Sequence, residues 1–141
     1  MARLSHIGLT VKDLDRSLAF YRDVAGMDPG AVLEGEDGPT GRSADSTVTR
    51  MRMVHLIAGT FVLQLIQYVS GGGDVLNIDQ RNVGSPHISF YVPDVDAKYA
   101  EVKARGDVKI TSAVNKIGFN LRSFYTRDPD GIPVEFMQTT S

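Results

Sequence analysis

His6-Ile7-Gly8-Leu9-Thr10-Val11-Lys12-Asp13-Leu14-Asp15 is written a second time, loosely, as His87-Ile88-Ser89-Phe90-Tyr91-Val92-Pro93-Asp94-Val95-Asp96. His, Ile, Val, Asp and Asp recur in the same order at one constant offset of 81 residues. Five matches in ten positions are hard to dismiss as accident, and a period this long points to duplicated modules rather than a solenoid. Both copies open as a strand. Ser5, Ile7, Leu9 and Val11 alternate onto one face, and Leu4, His6, Gly8 and Thr10 onto the other. In the second copy Ile88, Phe90 and Val92 share a face opposite His87, Ser89 and Tyr91.

Working outward, each strand runs into an aspartate able to cap a helix. Asp13 or Asp15 caps Arg16–Ala25, and Asp94 or Asp96 caps Ala97–Arg105. Leu14, Leu18 and Tyr21 repeat at helical spacing, as do Val95, Tyr99 and Val102. Gly26 and Gly106 stop the two helices. Strands are expected at Gly30–Gly35, Thr47–Ala58 and Thr60–Val69 in the first copy. In the second they are expected at Val108–Ser112, Phe119–Arg127 and Ile132–Gln138. Gly59-Thr60 and Asp128-Pro129-Asp130-Gly131 are the hairpin turns before the last strand of each copy. The pattern is strand–helix–strand–strand–strand, twice, an α+β chain. Residues 1–69 form the first module, 70–83 a glycine-rich flexible linker and 84–141 the second module. Glu34 to Ser46 reads as a polar loop long enough to act as a lid.

Composition narrows the function classes. The 141 residues suffice for one domain with a real core, and 42% hydrophobic with 23% charged is ordinary for a globular protein. A net charge of −2 offers no basic stripe for nucleic acid. No run reaches the length of a membrane span, and Met1 to Ser5 lacks the apolar run of a signal peptide, so a cytoplasmic protein is expected. With no cysteine, disulfides, thiolate ligands and cysteine nucleophiles drop out. Any metal must be held by nitrogen and oxygen.

His6 and His87 sit near the start of equivalent strands, on the face turned from the core. Gln64 in Phe61-Val62-Leu63-Gln64-Leu65-Ile66 and Glu135 in Ile132-Pro133-Val134-Glu135-Phe136-Met137 are equivalent polar interruptions of apolar strands. An unpartnered polar group in such a run costs ~1–3 kcal/mol. Two histidines, an amide oxygen and a carboxylate meeting at one point would find their partner in a divalent cation. Taken singly, each has a plainer explanation: a satisfied histidine, an exposed strand glutamine with Gln67 as a competitor of the same type, a solvated edge carboxylate. The shared position of His6 and His87 in a repeat weighs against it. His55 reads as structural or surface, Met51 and Met53 as residues facing the cup or core, and Tyr125 as core or rim.

These segments, with Phe20-Tyr21 and Phe124-Tyr125-Thr126-Arg127-Asp128-Pro129-Asp130-Gly131-Ile132-Pro133-Val134-Glu135, resemble the vicinal-oxygen-chelate superfamily over nearly the whole chain. The superfamily includes glyoxalase I, methylmalonyl-CoA epimerase, extradiol dioxygenases and the fosfomycin and bleomycin resistance proteins. The resemblance implies two βαβββ modules forming a curved, cup-like mixed sheet around one metal, a homodimer, and metal ligands at His6, Gln64, His87 and Glu135. The ligand set is most similar to that of the epimerase branch, whereas the Asp128–Gly131 hairpin departs from the epimerase pattern.

The implied activity is that of a lyase or isomerase that chelates two adjacent oxygens of a small substrate and stabilises an enediolate or enolate. Glu135 would take the proton, and nickel, cobalt, zinc, manganese or iron would suit the donors. Glu34 or Glu36 are candidate second bases for epimerisation; Tyr91, Ser89 and Tyr125 are candidate orienting donors. Two alternatives stand beside this. One is an iron extradiol dioxygenase using His6, His87 and Glu135, with Tyr125 matching the segment of its conserved tyrosine. The other is a metal-free protein that binds a drug or metabolite.

Overall fold

The computed structural model describes residues 1–37 and 49–140, with 36, 37 and 49 as backbone only. The chain divides into two compact units, Met1–Val75 and Leu76–Ser141.

The first unit runs β1 (Ile7–Thr10), α1 (Leu14–Ala19, continued by a π-helical turn Phe20–Val24), β2 (Asp28–Pro29), β3 (Leu33–Asp37), β4 (Thr49–Ala58) and β5 (Phe61–Ser70). Its sheet order is β1-β5-β4-β2, with β3 also paired to β4. β1 lies parallel to β5, as a strand–helix–strand return requires, and β4–β5 is an antiparallel hairpin about Gly59-Thr60. The second unit repeats this with β6 (Ile88–Tyr91), α2 (Val95–Arg105), β7 (Lys109–Ile110), β8 (Asn115–Ile117), β9 (Leu121–Arg127) and β10 (Pro133–Thr139), in the order β6-β10-β9-β7.

The duplication extends to how each helix is tied to its sheet. Asp13 accepts from the Arg16 amide at 3.2 Å and Asp94 from the Ala97 amide at 3.0 Å, so the first aspartate of each pair is the cap. The amide of Leu14 donates to Gln67 Oε1 at 2.8 Å, and that of Val95 to Gln138 Oε1 at 2.9 Å. Arg52 then grips Asp15, and Arg122 grips Asp96, each with two guanidinium nitrogens. Gly26 (φ 80°) and Gly106 (φ 73°) end the helices in the left-handed region that favours glycine.

The core lies between each sheet and its own helix. Leu14, Tyr21, Val54, Leu56, Leu63 and Leu65 are fully buried in the first unit, and Val95, Val102, Phe124, Val134 and Phe136 in the second. Phe136 packs against Phe124 (5.5 Å) and Phe90 (5.8 Å), and Phe124 meets Tyr99 edge-on at 5.2 Å. Each such side chain contributes about 1.5–3 kcal/mol of burial.

Three local expectations need correction. The lid reading of Glu34–Ser46 fails over Glu34–Asp37, which are hydrogen-bonded as β3 along β4; residues 38–48 lie outside the described residues. The expected strand Gly30–Gly35 is split, because Asp28–Pro29 pairs with Leu56–Ile57 and the chain rejoins β4 only at Leu33. The segment Phe119–Arg127 is strand only from Leu121, and the short β8 precedes it. Among the described residues, no helix is long and apolar enough to cross a membrane.

Candidate metal centre

Strand pairing decides which side chains share the open face of each sheet. In the first unit Gly8, Gln64 and His55 lie side by side across β1, β5 and β4. Gln64 is part-buried, and its Nε2 lies 3.2 Å from His55 Nε2 and 3.5 Å from Met53 Sδ. His6, one residue ahead of β1, meets His55 ring edge to ring at 5.5 Å between centroids. Its Nδ1 is hydrogen-bonded to Ser5 Oγ at 2.9 Å, which leaves Nε2 as the nitrogen for an outside ligand.

In the second unit the equivalent row is Ser89, Glu135 and Tyr125 across β6, β10 and β9. Glu135 is a buried carboxylate, 4% exposed, and each oxygen has its own donor. Ser89 Oγ donates to Oε1 at 2.7 Å and Ser123 Oγ donates to Oε2 at 2.8 Å. Burial pushes the Tyr125 phenol above its ordinary value; a hydrogen bond with Gln80 opposes that, and the charge of Glu135 adds to it. Tyr125 is therefore a neutral hydrogen-bond donor near neutral pH. The turn ahead of β10 is rigid, because Asp128 Oδ1 accepts from the amides of Asp130 (2.9 Å) and Ile132 (2.8 Å).

Of the four expected ligands, His6 and Gln64 belong to the first unit, and His87 and Glu135 to the second. His87 is exposed and stands one residue before β6, as His6 stands before β1. Among the described residues, no three His, Asp or Glu side chains are gathered so as to hold an ion. Gln67, the competitor of Gln64, is occupied by the start of α1 on the core face. Glu34 is ion-paired with Arg52 at 3.3 Å, and the side chain of Glu36 lies outside the described residues. His55 and Ser123 are the residues that sequence reasoning undervalued. Counting outward from Gly59-Thr60 puts His55 opposite Gln64, and that was the available signal. Ser123 lies two residues from Tyr125, the pairing partner of Glu135, and only the register of β9 against β10 brings it to that carboxylate.

Two units of like topology, each a strand, a helix and four further strands, with a histidine ahead of the first strand and a polar side chain at the middle of the last, define a recognisable class. The Glyoxalase/Bleomycin resistance protein/Dioxygenase superfamily matches residues 3–136, and the chain belongs to that superfamily. Members of this superfamily are often metal-dependent enzymes. A protein of Synechocystis sp. named a probable lactoylglutathione lyase is 28% identical over 98% of this chain and 96% of its own length. Among solved structures, a glyoxalase family protein from Bacillus cereus superposes with a TM-score of 0.84 at 16% identity, covering 100% of this chain and 96% of its own. FosX, the fosfomycin resistance protein of Listeria monocytogenes, solved with Mn(II) and sulfate, superposes with a TM-score of 0.62 at 22% identity, covering 99% and 94%.

Proposed function

We propose that this chain is a metal-dependent lyase or isomerase, glyoxalase I-like or methylmalonyl-CoA-epimerase-like, acting on a small substrate with two adjacent oxygens. The observation that carries the reading is the equivalence of Gln64 and Glu135: each occupies the middle of the open face of its sheet, opposite the strand its own histidine precedes. The donor types fit a divalent cation, with neutral imidazole, amide oxygen and carboxylate suiting nickel, cobalt, zinc, manganese or iron. The two serine hydroxyls on Glu135 are the kind of outer support a ligating carboxylate has. His6, Gln64, His87 and Glu135 are the residues that would hold the ion. The lyase named among the relatives and the Mn(II) held by FosX point the same way.

When bound, the cation supplies Lewis acidity that stabilises negative charge on the substrate oxygens. The rest falls to the protein. Glu135 takes the carbon-bound proton, and Ser89 and Ser123 hold its carboxylate in one orientation so that little reorganisation accompanies the transfer. Tyr125, kept neutral by its surroundings, donates to a substrate oxygen. Metal analysis of the purified chain, with His87→Ala as control, tests the centre. Carbon–deuterium exchange in methylglyoxal–thiol adducts and in 2-methyl-branched acyl thioesters tests the chemistry. Metal-dependent exchange that disappears in Glu135→Gln is expected; no exchange with any metal refutes it. The position of Tyr125 directly opposite Glu135 favours ring cleavage as a second reading, which oxygen uptake with catechols and iron(II) tests.

A further inference from the structure

An amide ligates through its oxygen alone, so a glutamine in a metal site must be prevented from presenting its nitrogen. In the second unit the question does not arise: the carboxylate of Glu135 has two like oxygens, and both accept from serine hydroxyls. In the first unit the corresponding places hold Gly8 in place of Ser89 and Met53 in place of Ser123, and neither carries a donor. The amide nitrogen of Gln64 instead faces His55 Nε2 at 3.2 Å and donates to Met53 Sδ at 3.5 Å. A thioether has no proton to donate, so Met53 decides which way the amide faces. With the nitrogen turned to β4, Oε1 lies over Gly8, 3.4 Å from where a Cβ there would be.

We propose that His55, assisted by Met53, is a positioning residue that holds the Gln64 amide nitrogen on β4 and so leaves its oxygen as the ligating atom; this rests on the metal reading above. His55 carries its proton on Nδ1 and accepts from the Gln64 amide through Nε2. The support is opposite in polarity to that of Glu135, as the chemistry of an NH2 group requires.

The test is Ni(II) affinity of the full chain, measured by chelator competition in wild type, His55→Leu, His55→Gln and Met53→Leu, each also in a Gln64→Glu background. His55→Leu is expected to weaken Ni(II) binding by ~10–100-fold, the range for losing such outer support. His55→Gln, whose side-chain oxygen accepts in the same place, restores most of it. Met53→Leu, which preserves volume, gives a smaller loss and carries the test if His55→Leu does not fold. In the Gln64→Glu background the loss disappears, because a carboxylate presents oxygen either way. A wild-type chain that binds no Ni(II) overturns the metal reading together with this role. A wild type that binds, with His55→Leu and Met53→Leu binding as tightly, overturns the role alone. So does an equal loss in both backgrounds.

Discussion

Replacing Ser123 by alanine tests how Glu135 is held on the open face of its sheet. Ser123 is 2% exposed, and its hydroxyl donates at 2.8 Å to a carboxylate that is itself 4% exposed. Water has no route to replace the lost donor, so a charged oxygen is left short of a partner in a closed environment. A hydrogen bond to a charged group contributes about 1.5–3 kcal/mol, and an unmet buried acceptor costs a similar amount. In a chain of this size that corresponds to a fall in Tm of roughly 4–9 °C. The companion variant Ser89→Ala removes the other donor, from an exposed residue where solvent substitutes. Its cost is about 0.5–1.5 kcal/mol. Thermal and urea unfolding of both, with Glu135→Gln as a third arm, measure the difference. If Ser89→Ala destabilises as much as Ser123→Ala, or Ser123→Ala changes nothing, Glu135 does not depend on its buried donor and the reasoning is wrong.

Other outcomes follow from the same geometry. Gln67→Leu and Gln138→Leu each remove the acceptor at the start of a helix and are expected to cost about 1 kcal/mol by urea unfolding, within a few tenths of each other because the two contacts are equivalent. Asp79, hydrogen-bonded by the Arg81 side chain and amide, titrates at about 2. Its folded value lies below the ordinary carboxylate value near ~3.9, so the turn it organises is intact above that pH and loses this support as pH falls toward the folded value. Carboxyl NMR resolves the titration, and Arg81→Ala should return it to the ordinary range. Sedimentation equilibrium should give twice the 15.4 kDa of one chain, as expected for a homodimer; a monomer at all concentrations refutes that.

Much of the fold was legible because the repeat constrains it. The offset between His6 and His87 carries over to the caps Asp13 and Asp94, and the turns Gly59-Thr60 and Asp128–Gly131 set the register of both hairpins. Strand parity alone separates Gln64 from Gln67: Gln67 shares a face with Leu63 and Leu65, so it points to the helix. The expected strand Gly30–Gly35 already covered Leu33–Gly35; its continuation through Glu36 and Asp37 was not legible, because acidic residues oppose strand propensity and only pairing with β4 overrides them. The widened turn Phe20–Val24 was hidden for a similar reason. Its buried residues Phe20, Tyr21 and Val24 fit a helix of either kind, and the amide of Ala25 reaching back to the Phe20 carbonyl marks the wider turn. His55 was undervalued because a lone histidine on a strand is usually structural, and its importance emerges only from the side chain opposite it.

Among the described residues, β1 to β5 pair among themselves, and so do β6 to β10. The backbone segment that joins β5 to β6, opening with Gly71-Gly72-Gly73, is thus what trading halves between two copies would stretch. Such an exchange would break none of the described strand pairs, so the integrity of either sheet does not oppose it, and tether length and copy concentration weigh on it instead.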